Sequence, residues 1–254
     1  MSPFSPMSPG RILISNDDGI DAIGIRILHD IAKRLSDDVW VIAPDGNRSG
    51  MSRAITLRRD VVITPCGDRQ FSCSGTPSDC VIMGMSRVMD GKPDLVLSGV
   101  NHGMNVGDDV GYSGTIGAAF EAAINMVPAI ALSQQHARTD ADFEPTLSCG
   151  SRALEYALSL TIPERGILNI NMPGKGNGTV KGIRKASLDT HKFCDEIMDG
   201  TRPYTYRIGP LVTTPEMLEN SDRYWLEHGF ISMSMLTMDA NDSAHTNRLE
   251  DADF

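Results

Sequence analysis

The sequence lacks long apolar runs and an excess of basic residues, and each absence argues against a class of protein. No apolar run approaches the roughly 18 residues that a membrane-spanning helix needs. With 23 Lys and Arg against 33 Asp and Glu, the formal net charge is −10, whereas binding to nucleic-acid phosphates or anionic lipid requires a basic surface. We therefore expect no nucleic-acid polymer and no membrane as partner. A bound cation or backbone N–H groups can still attract a small anion locally.

The cysteines form no CxxC pair, which excludes a zinc ribbon and a thioredoxin-type motif. The five residues are Cys66, Cys73, Cys80, Cys149 and Cys194. We interpret them as reduced thiols and expect a cytoplasmic location. The first ten residues contain neither a basic region nor a long apolar stretch, which excludes a secretory signal there. We expect a disordered leader over residues 1–10.

Most of the remaining chain alternates short apolar runs with helical periodicity. Residues 11–15 and 39–44 are strand-like and flank a helical pattern over 22–35, and such a β–α–β unit predicts a parallel sheet. The alternation continues with helix patterns starting near 76, 115 and 148 and strand patterns at 94–98, 129–133 and 167–173. The sequence therefore predicts an α/β fold, a Rossmann-like, doubly wound, mostly parallel three-layer core over residues 11–178, with five or six strands.

The pattern changes after about residue 175. Segments 180–188 and 204–212 alternate loosely, the residues Thr-Pro-Glu at 214–216 predict a helix over 215–228, and residues 230–237 alternate like a half-exposed strand. We interpret residues 179–254 as a small antiparallel C-terminal extension, with an arm that reaches a partner subunit. Its end is predicted to be a solvated acidic tail, with Asp239, Asp242, Glu250, Asp251 and Asp253.

Two adjacent acids follow the first predicted strand, and in open α/β sheets ligands bind outside the carboxyl ends of the strands. Asp17 and Asp18 lie in the loop SNDDG at 15–19. Adjacent carboxylates repel each other unless a cation or hydrogen-bond donors compensate. Capping of the next helix would explain one acid but not both, so the pair is interpreted as metal ligands. Aspartyl-phosphate phosphatases usually place two acids one residue apart, so the adjacent spacing favours metal ligation over covalent catalysis.

Two further loops follow predicted strands. The loop DGNRSG at 45–50 has the composition of an ordinary turn, but beside the acidic pair its hydroxyl and N–H groups can serve an ion or a phosphate. The loop from 98 to 107 is unusually rich in glycine, which lets backbone approach a ligand closely. The Ser-Gly-Thr sequence at 113–115 then opens a helix, whose N-terminus suits phosphate. The spacing is neither GxGxxG nor Walker A, which disfavours dinucleotide and P-loop sites.

The ligand types at these loops indicate a chemistry. Carboxylate, amide and hydroxyl oxygens without cysteine suit Mg²⁺, Mn²⁺ or Ca²⁺ rather than zinc. A hard cation beside a phosphate cradle is typical of phosphoryl transfer or phosphate ester hydrolysis. The sequence therefore predicts a metal-dependent phosphoryl-transfer or phosphate-ester-hydrolysing enzyme.

Five ordered stretches resemble the survival-protein-E (SurE) family of nucleotidases. They are SNDDGI, VIAPDGNRSGMS, SGTPSDCV, PDLVLSGVNHGMNVGDDVGYSGTIGAA and LNINMP. The similarity covers about residues 11–173 and continues weakly through 222–240. It implies a Rossmann-like fold, dimers or tetramers that exchange a C-terminal arm, and metal-dependent 5′- and 3′-nucleotidase activity on small nucleotides, with exopolyphosphatase activity in some members. The segment 189–205 departs from the family's DPRGR-like sequence.

The resemblance also implies roles for individual residues. The family's metal ligands fall on Asp17, Asp18, Ser49 and Asn101. The first two acids are expected to be catalytic, with one divalent cation, Mg²⁺ or Mn²⁺, activating the attacking water. Expected phosphate contacts are Asn16, Ser113, Gly114 and Thr115. Two alternatives stay open: a non-catalytic nucleotide- or phosphate-binding regulator on the same fold, and an aspartyl-phosphate phosphatase.

Overall fold

The computed structural model describes residues 8–238, so most of the predicted leader and the whole acidic tail lie outside the described residues. Its strands are β1 (Arg11–Ser15), β2 (Asp38–Pro44), β3 (Ile63–Gly67), β4 (Gln70–Cys73), β5 (Leu95–His102), β6 (Ala129–Gln134), β7 (Gly166–Met172), β8 (Ile183–Lys185), β9 (Lys192–Asp199), β10 (Tyr206–Thr213) and β11 (Ile231–Thr237). Its α-helices are α1 (Ile23–Ala32), α2 (Pro77–Met83), α3 (Gly114–Ile124), α4 (Glu144–Leu158) and α5 (Asp222–Glu227). Among the helices of residues 8–238, none has the length and apolar character needed to span a bilayer.

Nine strands form one sheet in the order β3-β4-β2-β1-β5-β6-β7-β11-β8. In this sheet order the six strands β4-β2-β1-β5-β6-β7 run parallel to one another. At the two ends of this run, β3 pairs antiparallel with β4 and β11 pairs antiparallel with β7. The predicted doubly wound α/β fold is confirmed. The sheet is wider than the predicted five or six strands because the β3–β4 hairpin, β8 and β11 extend it at both edges.

Helices cover both faces of the sheet, as a buried parallel sheet requires. On β1, Ile12 and Ile14 pack into the core under α1 and α4, whereas Leu13 packs into the core under α2 and α3, and all three side chains are fully buried. Each such side chain contributes about 1.5–3 kcal/mol by its removal from water. The two cores fix the sheet between its helices.

The helix start predicted near residue 76 is confirmed, since α2 begins at Pro77. Thr76 is the N-cap, its Oγ1 accepts a hydrogen bond from the Asp79 N–H at 3.2 Å, and the Asp79 carboxylate accepts one from the Thr76 N–H at 2.8 Å. This reciprocal arrangement is a capping box, with Pro77 in the first helical position. A π-helical turn, Gly84–Val88, continues the helix.

The helix predicted over 215–228 is wrong in its first half. The helix α5 spans only Asp222–Glu227, and its N-cap is Ser221, whose Oγ accepts a hydrogen bond from the Tyr224 N–H at 3.1 Å. Backbone groups in the preceding stretch bond to side chains elsewhere: the Thr214 carbonyl accepts from the Arg223 guanidinium at 2.9 Å, and the Leu218 N–H donates to Asp189 Oδ1 at 3.1 Å. Tertiary hydrogen bonds have thus replaced the local ones that a helix start would use.

The C-terminal region divides between two sheets. The predicted antiparallel element is present as β9 and β10, which form a small sheet here called the ribbon. The first of its predicted segments is wrong, because β9 lies after 180–188 and only β10 falls on 204–212. However, β8 and β11 join the main sheet, and β11 lies between β7 and β8, so its residues Ile231–Ser234 are buried rather than half-exposed. A domain boundary near residue 178 stays a prediction.

Candidate functional site

Three neighbouring strands bring the predicted loops together at one edge of the sheet. The order β2-β1-β5 is continuous, and Ser15 at the end of β1 is the register partner of Ser98 on β5. The loops that follow Ser15 and Pro44 therefore leave the sheet beside the Gly-rich end of β5. This is the ligand edge expected for an open α/β sheet.

Asp17 lies at the centre of this edge and is almost completely buried, with 3% of its surface exposed. Its carboxylate accepts a short hydrogen bond from the Thr115 hydroxyl in the first turn of α3. Its carbonyl accepts a hydrogen bond from the Arg48 N–H at 2.7 Å. These contacts connect the loop after β1 both to the loop that carries Ser49 and to residues 113–115, here called the predicted phosphate segment.

Gly114 is required where α3 begins. A Cβ atom at this position would lie 2.8 Å from Asp17 Cβ and 2.9 Å from its Oδ2. Contacts under about 3.0 Å are not seen for real Cβ atoms, so only glycine lets the helix start approach the carboxylate this closely. The N-cap is Ser113, whose Oγ accepts the Ile116 N–H at 3.1 Å. The N–H groups of Gly114 and Thr115 remain without intrahelical partners.

The two adjacent acids resist ionisation in this setting. Burial raises the pKa of Asp17, the Thr115 hydroxyl lowers it, and the charge of Asp18 raises it again, to a net value of about 6. Burial also raises the pKa of Asp18, against a lowering effect of His102. Two neighbouring carboxylates with raised pKa values are a pair whose charge a cation would stabilise.

Asp18 and Asn101 are joined through the end of β5. The Asp18 carboxylate accepts a hydrogen bond from the His102 N–H at 3.0 Å. The Asn101 side-chain amide donates to the Gly103 carbonyl at 3.0 Å, and within residues 8–238 its Oδ1 accepts no hydrogen bond. The amide is thus oriented by its nitrogen and has its oxygen free for a ligand.

Ser49 and Asn16 differ in how far the structure constrains them. Ser49 is exposed, and its N–H donates to Asn47 Oδ1 at 2.9 Å. Asn16 is fully buried and closes its own loop, because its amide donates to the Gly19 carbonyl at 2.9 Å and its oxygen accepts the Gly19 N–H at 3.2 Å. The structure therefore gives Asn16 a role in shaping the loop that carries Asp17.

The donor set at this edge fits a hard divalent cation. No Lys or Arg in residues 8–238 forms an ion pair with Asp17 or Asp18. The guanidinium of the nearby Arg48 pairs instead with the Asp45 carboxylate at 2.8 Å. Nor do three or more His, Cys, Asp or Glu side chains in that range come together as a metal site. Two carboxylates completed by neutral amide and hydroxyl oxygens are the ligands that Mg²⁺ or Mn²⁺ accepts.

Sequence reasoning missed the polar network beneath the Gly-rich loop. Asn105 donates through its N–H to Asn171 Oδ1 at 2.7 Å and through its side chain to Ser133 Oγ at 2.8 Å, while Asn169 donates to its carbonyl at 2.8 Å. The signal was present in LNINMP, where two amides interrupt a buried strand. Buried polar groups of this kind need partners, and here they hold the loop on the sheet.

Sequence reasoning also missed a close approach of α1 to the site. A Cβ at Gly24 would lie 1.9 Å from the Val100 carbonyl oxygen. The helix α1 therefore packs directly on the backbone that leads to Asn101. The glycine within the predicted helical pattern, in the run IGIRIL, was the available signal.

Comparisons with known proteins agree with this fold. The family described as "Survival protein SurE" matches residues 12–195. A protein named 5′-nucleotidase SurE from Rhodopseudomonas palustris (strain BisB18) is 39% identical over 251 residues, covering 94% of this chain and 98% of the relative. One of the same name from Brucella abortus (strain S19) is 40% identical over 248 residues, covering 94% and 96%. The crystal structure of the SurE protein from Aquifex aeolicus superposes with a TM-score of 0.80 at 30% identity, covering 93% of this chain and 97% of that chain.

Proposed function

The chain belongs to the SurE family, and we propose that it is a divalent-metal-dependent nucleotidase that releases phosphate from nucleoside 5′-monophosphates. The observation that carries this proposal is that the buried Asp17 carboxylate lies against the N-terminus of α3. The two are so close that a Cβ at Gly114 would clash with the Asp17 side chain. An anion-binding helix start and a cation-binding acidic pair are thereby adjacent. A phosphate monoester needs both, since its charge must be held and neutralised together.

The proposed cation, Mg²⁺ or Mn²⁺, would be held by Asp17, Asp18, Ser49 and Asn101. Once bound, such an ion neutralises phosphate charge and lowers the pKa of water. The protein's own groups supply the positioning. Thr115 fixes the orientation of the Asp17 carboxylate, and the His102 N–H fixes that of Asp18. The first-turn N–H groups of α3 would receive the phosphate oxygens, and Asn16 would keep the acidic loop in shape.

The experiment that tests this proposal is a phosphate-release panel. The purified protein is assayed with nucleoside 5′- and 3′-monophosphates and with inorganic polyphosphate, before and after chelation and after adding back Mg²⁺ or Mn²⁺. We expect release from 5′-monophosphates that chelation removes and the cation restores. Full activity after thorough chelation would contradict the metal assignment. Ligand-induced stabilisation without release would indicate a regulator, and a phosphorylated Asp17 would indicate an aspartyl-phosphate phosphatase.

We extend the proposal to substrate range, location and assembly. Release from 3′-monophosphates and exopolyphosphatase activity are further activities to be scored in the same panel. We place the protein in the cytoplasm because its five cysteines, all among the described residues, are free thiols. We also propose a homodimer or homotetramer formed through the C-terminal arm. An isolated two-stranded ribbon is at best marginally stable in water, and this one exposes apolar side chains on both strands: Ile197, Met198, Tyr206 and Ile208.

A further inference from the structure

The base of the ribbon contacts the turn that leads into the predicted phosphate segment. The ribbon base is residues 189–192, where β9 begins, and the turn is residues 107–112, which includes the 3₁₀ helix Gly107–Gly111. The Thr214 N–H, at the end of β10, donates to the His191 carbonyl at 2.9 Å. Both strands of the ribbon are therefore anchored at the residues that touch the turn.

Asp108 makes the central connection. Its Oδ2 accepts hydrogen bonds from the His191 N–H at 2.9 Å and from the Lys192 N–H at 2.8 Å. These two backbone hydrogen bonds hold the pKa of Asp108 below its usual value. An ionised carboxylate bound by two N–H groups is a strong and directional contact.

Further contacts surround this connection. The His191 side chain is 1% exposed, and its Nε2 lies 3.4 Å from Asp109 Oδ2. A Cβ at Gly107 would lie 2.5 Å from His191 Nδ1, so the ring packs directly on the turn. Lys192 Nζ lies 3.2 Å from the Tyr112 hydroxyl. The ribbon base thus touches the turn along most of its length.

The same turn also determines where the phosphate segment begins. The Asp109 carbonyl accepts hydrogen bonds from the Tyr112 N–H at 3.0 Å and from the Ser113 N–H at 3.1 Å. Ser113 is the N-cap of α3 and precedes Gly114 and Thr115 directly. A shift of the turn is therefore transmitted through one carbonyl to the start of the helix.

We propose that Asp108 is a positioning residue for phosphate binding, and that through it the ribbon base holds residues 113–115 in their binding position. Asp108 does not touch the acidic pair, and it acts on the substrate through the turn. The inference rests on the proposed nucleotidase function. It adds that the ribbon, an element outside the main sheet, takes part in forming the site.

The test is steady-state kinetics of Asp108→Ala with a nucleoside 5′-monophosphate at saturating Mg²⁺. We expect KM to rise about tenfold with kcat within about twofold of the unmodified protein, because a displaced phosphate segment loses binding geometry. Asp108→Asn keeps an oxygen acceptor at the same place, so its KM should return to within about threefold of the unmodified value. The Mg²⁺ concentration for half-maximal activity should not change in either variant.

Asp199→Ala is the matched control. It removes the same charge from the far end of β9, where Asp199 is exposed, and its KM should not change. If Asp108→Ala is too unstable to assay, Asp108→Ser carries the same test, because its shorter side chain cannot reach both N–H groups. An unchanged KM, or a fall in kcat and melting temperature alone, would overturn the inference. Absence of phosphate release by the unmodified protein would instead overturn the proposed function.

Discussion

Three neighbours hold Asp17 in place. The Thr115 hydroxyl donates to its carboxylate, the Arg48 N–H donates to its backbone carbonyl, and Gly114 approaches its side chain so closely that a Cβ there would clash. None of these neighbours brings a positive side-chain charge to the carboxylate. At the scale of single residues, the site is therefore organised to hold an anionic oxygen pair in place before any ligand arrives. Such preorganisation is what metal and phosphate sites require.

We predict that Asp17→Asn lowers phosphate release by at least about 100-fold, since loss of a direct ligand should exceed the 10–100-fold cost typical of outer-shell changes. Its metal-free melting temperature should be no lower than that of the unmodified protein, because burial already disfavours the charge. Phosphate release and thermal unfolding measure the two effects. Asp21→Asn, at an exposed position in the same loop region, is the control. Near-normal turnover of the Asp17 variant would contradict the assignment.

A second residue-scale prediction concerns the helix start. Gly114→Ala should lower kcat/KM by more than about tenfold, since its Cβ would lie within 3 Å of two Asp17 atoms and displace the carboxylate. Gly176→Ala is the matched control, because no atom outside its chain neighbours lies within 4 Å of its added Cβ, and it belongs to a short 3₁₀ turn that carries none of the predicted site residues. Steady-state kinetics of both variants separate steric displacement from a general effect of losing glycine. Equal activity of the two variants would count against this account.

Among the elements, α2 shows how a local signal becomes stability. Its Asp79 carboxylate accepts hydrogen bonds from the Thr76 N–H at 2.8 Å and the Thr56 N–H at 3.0 Å. Burial alone would raise the pKa of Asp79, but these hydrogen bonds outweigh burial and hold it below its usual value. A carboxyl of this kind stabilises the fold above its unfolded pKa of about 3.9. That contribution is lost as the pH falls through the folded value.

We therefore predict that Asp79→Ala lowers the free energy of unfolding at pH 7 by about 1–2 kcal/mol, the usual cost of losing a helix cap. The difference from the unmodified protein should begin to shrink as the pH falls below the unfolded pKa of about 3.9, and should disappear once the pH has fallen through the lower folded pKa of Asp79. Urea unfolding at pH 7 and at a descending series of pH values below about 3.9 measures both effects. Asp60→Ala, at an exposed position, should show neither effect. A difference that does not change with pH would contradict the assigned role of the charge.

The elements that sequence predicted well are those with local signals. Strand β1 and helix α2 carry theirs within about ten residues, as an apolar run and a capping box. The helix predicted over 215–228 is wrong in its first half. There the Thr214 carbonyl accepts a hydrogen bond from the Arg223 side chain, a contact that no local pattern reveals. Asn105 was missed for a related reason, since its partners Asn169 and Asn171 lie more than 60 residues away. The motifs predicted which loops meet at the carboxyl edge of the sheet, but not the network that supports them.

At the scale of the whole molecule, the ribbon exposes apolar side chains that no part of a single chain covers within the described residues. Ile197 and Ile208 are register partners on its two strands, with 59% and 79% of their surfaces exposed. Exposed apolar pairs of this kind mark interaction surfaces. The sequence suggested an arm here but not which side chains it would present.

We predict that Ile208→Glu shifts the protein from a dimer or tetramer to a smaller species. Association would bury the new carboxylate without a partner, and this desolvation penalty would weaken the free energy of association. Sedimentation or light scattering coupled to gel filtration measures the change. Leu147→Glu, on the exposed face of α4 at 60% exposure, should leave the mass unchanged. A monomeric unmodified protein would refute the proposed assembly, and equal masses for all three proteins would exclude the ribbon as its interface.

The position of β11 between β7 and β8 has a consequence for synthesis on the ribosome. Strand β7 ends at Met172, yet the neighbour that covers its outer edge ends only at Thr237. At 5–20 residues per second, translation of the intervening chain leaves that edge open for roughly 3–13 seconds. An open strand edge is a template for pairing with other chains. The nascent protein therefore passes through an interval in which one side of its sheet is open, and this interval ends only when the chain has been made through Thr237.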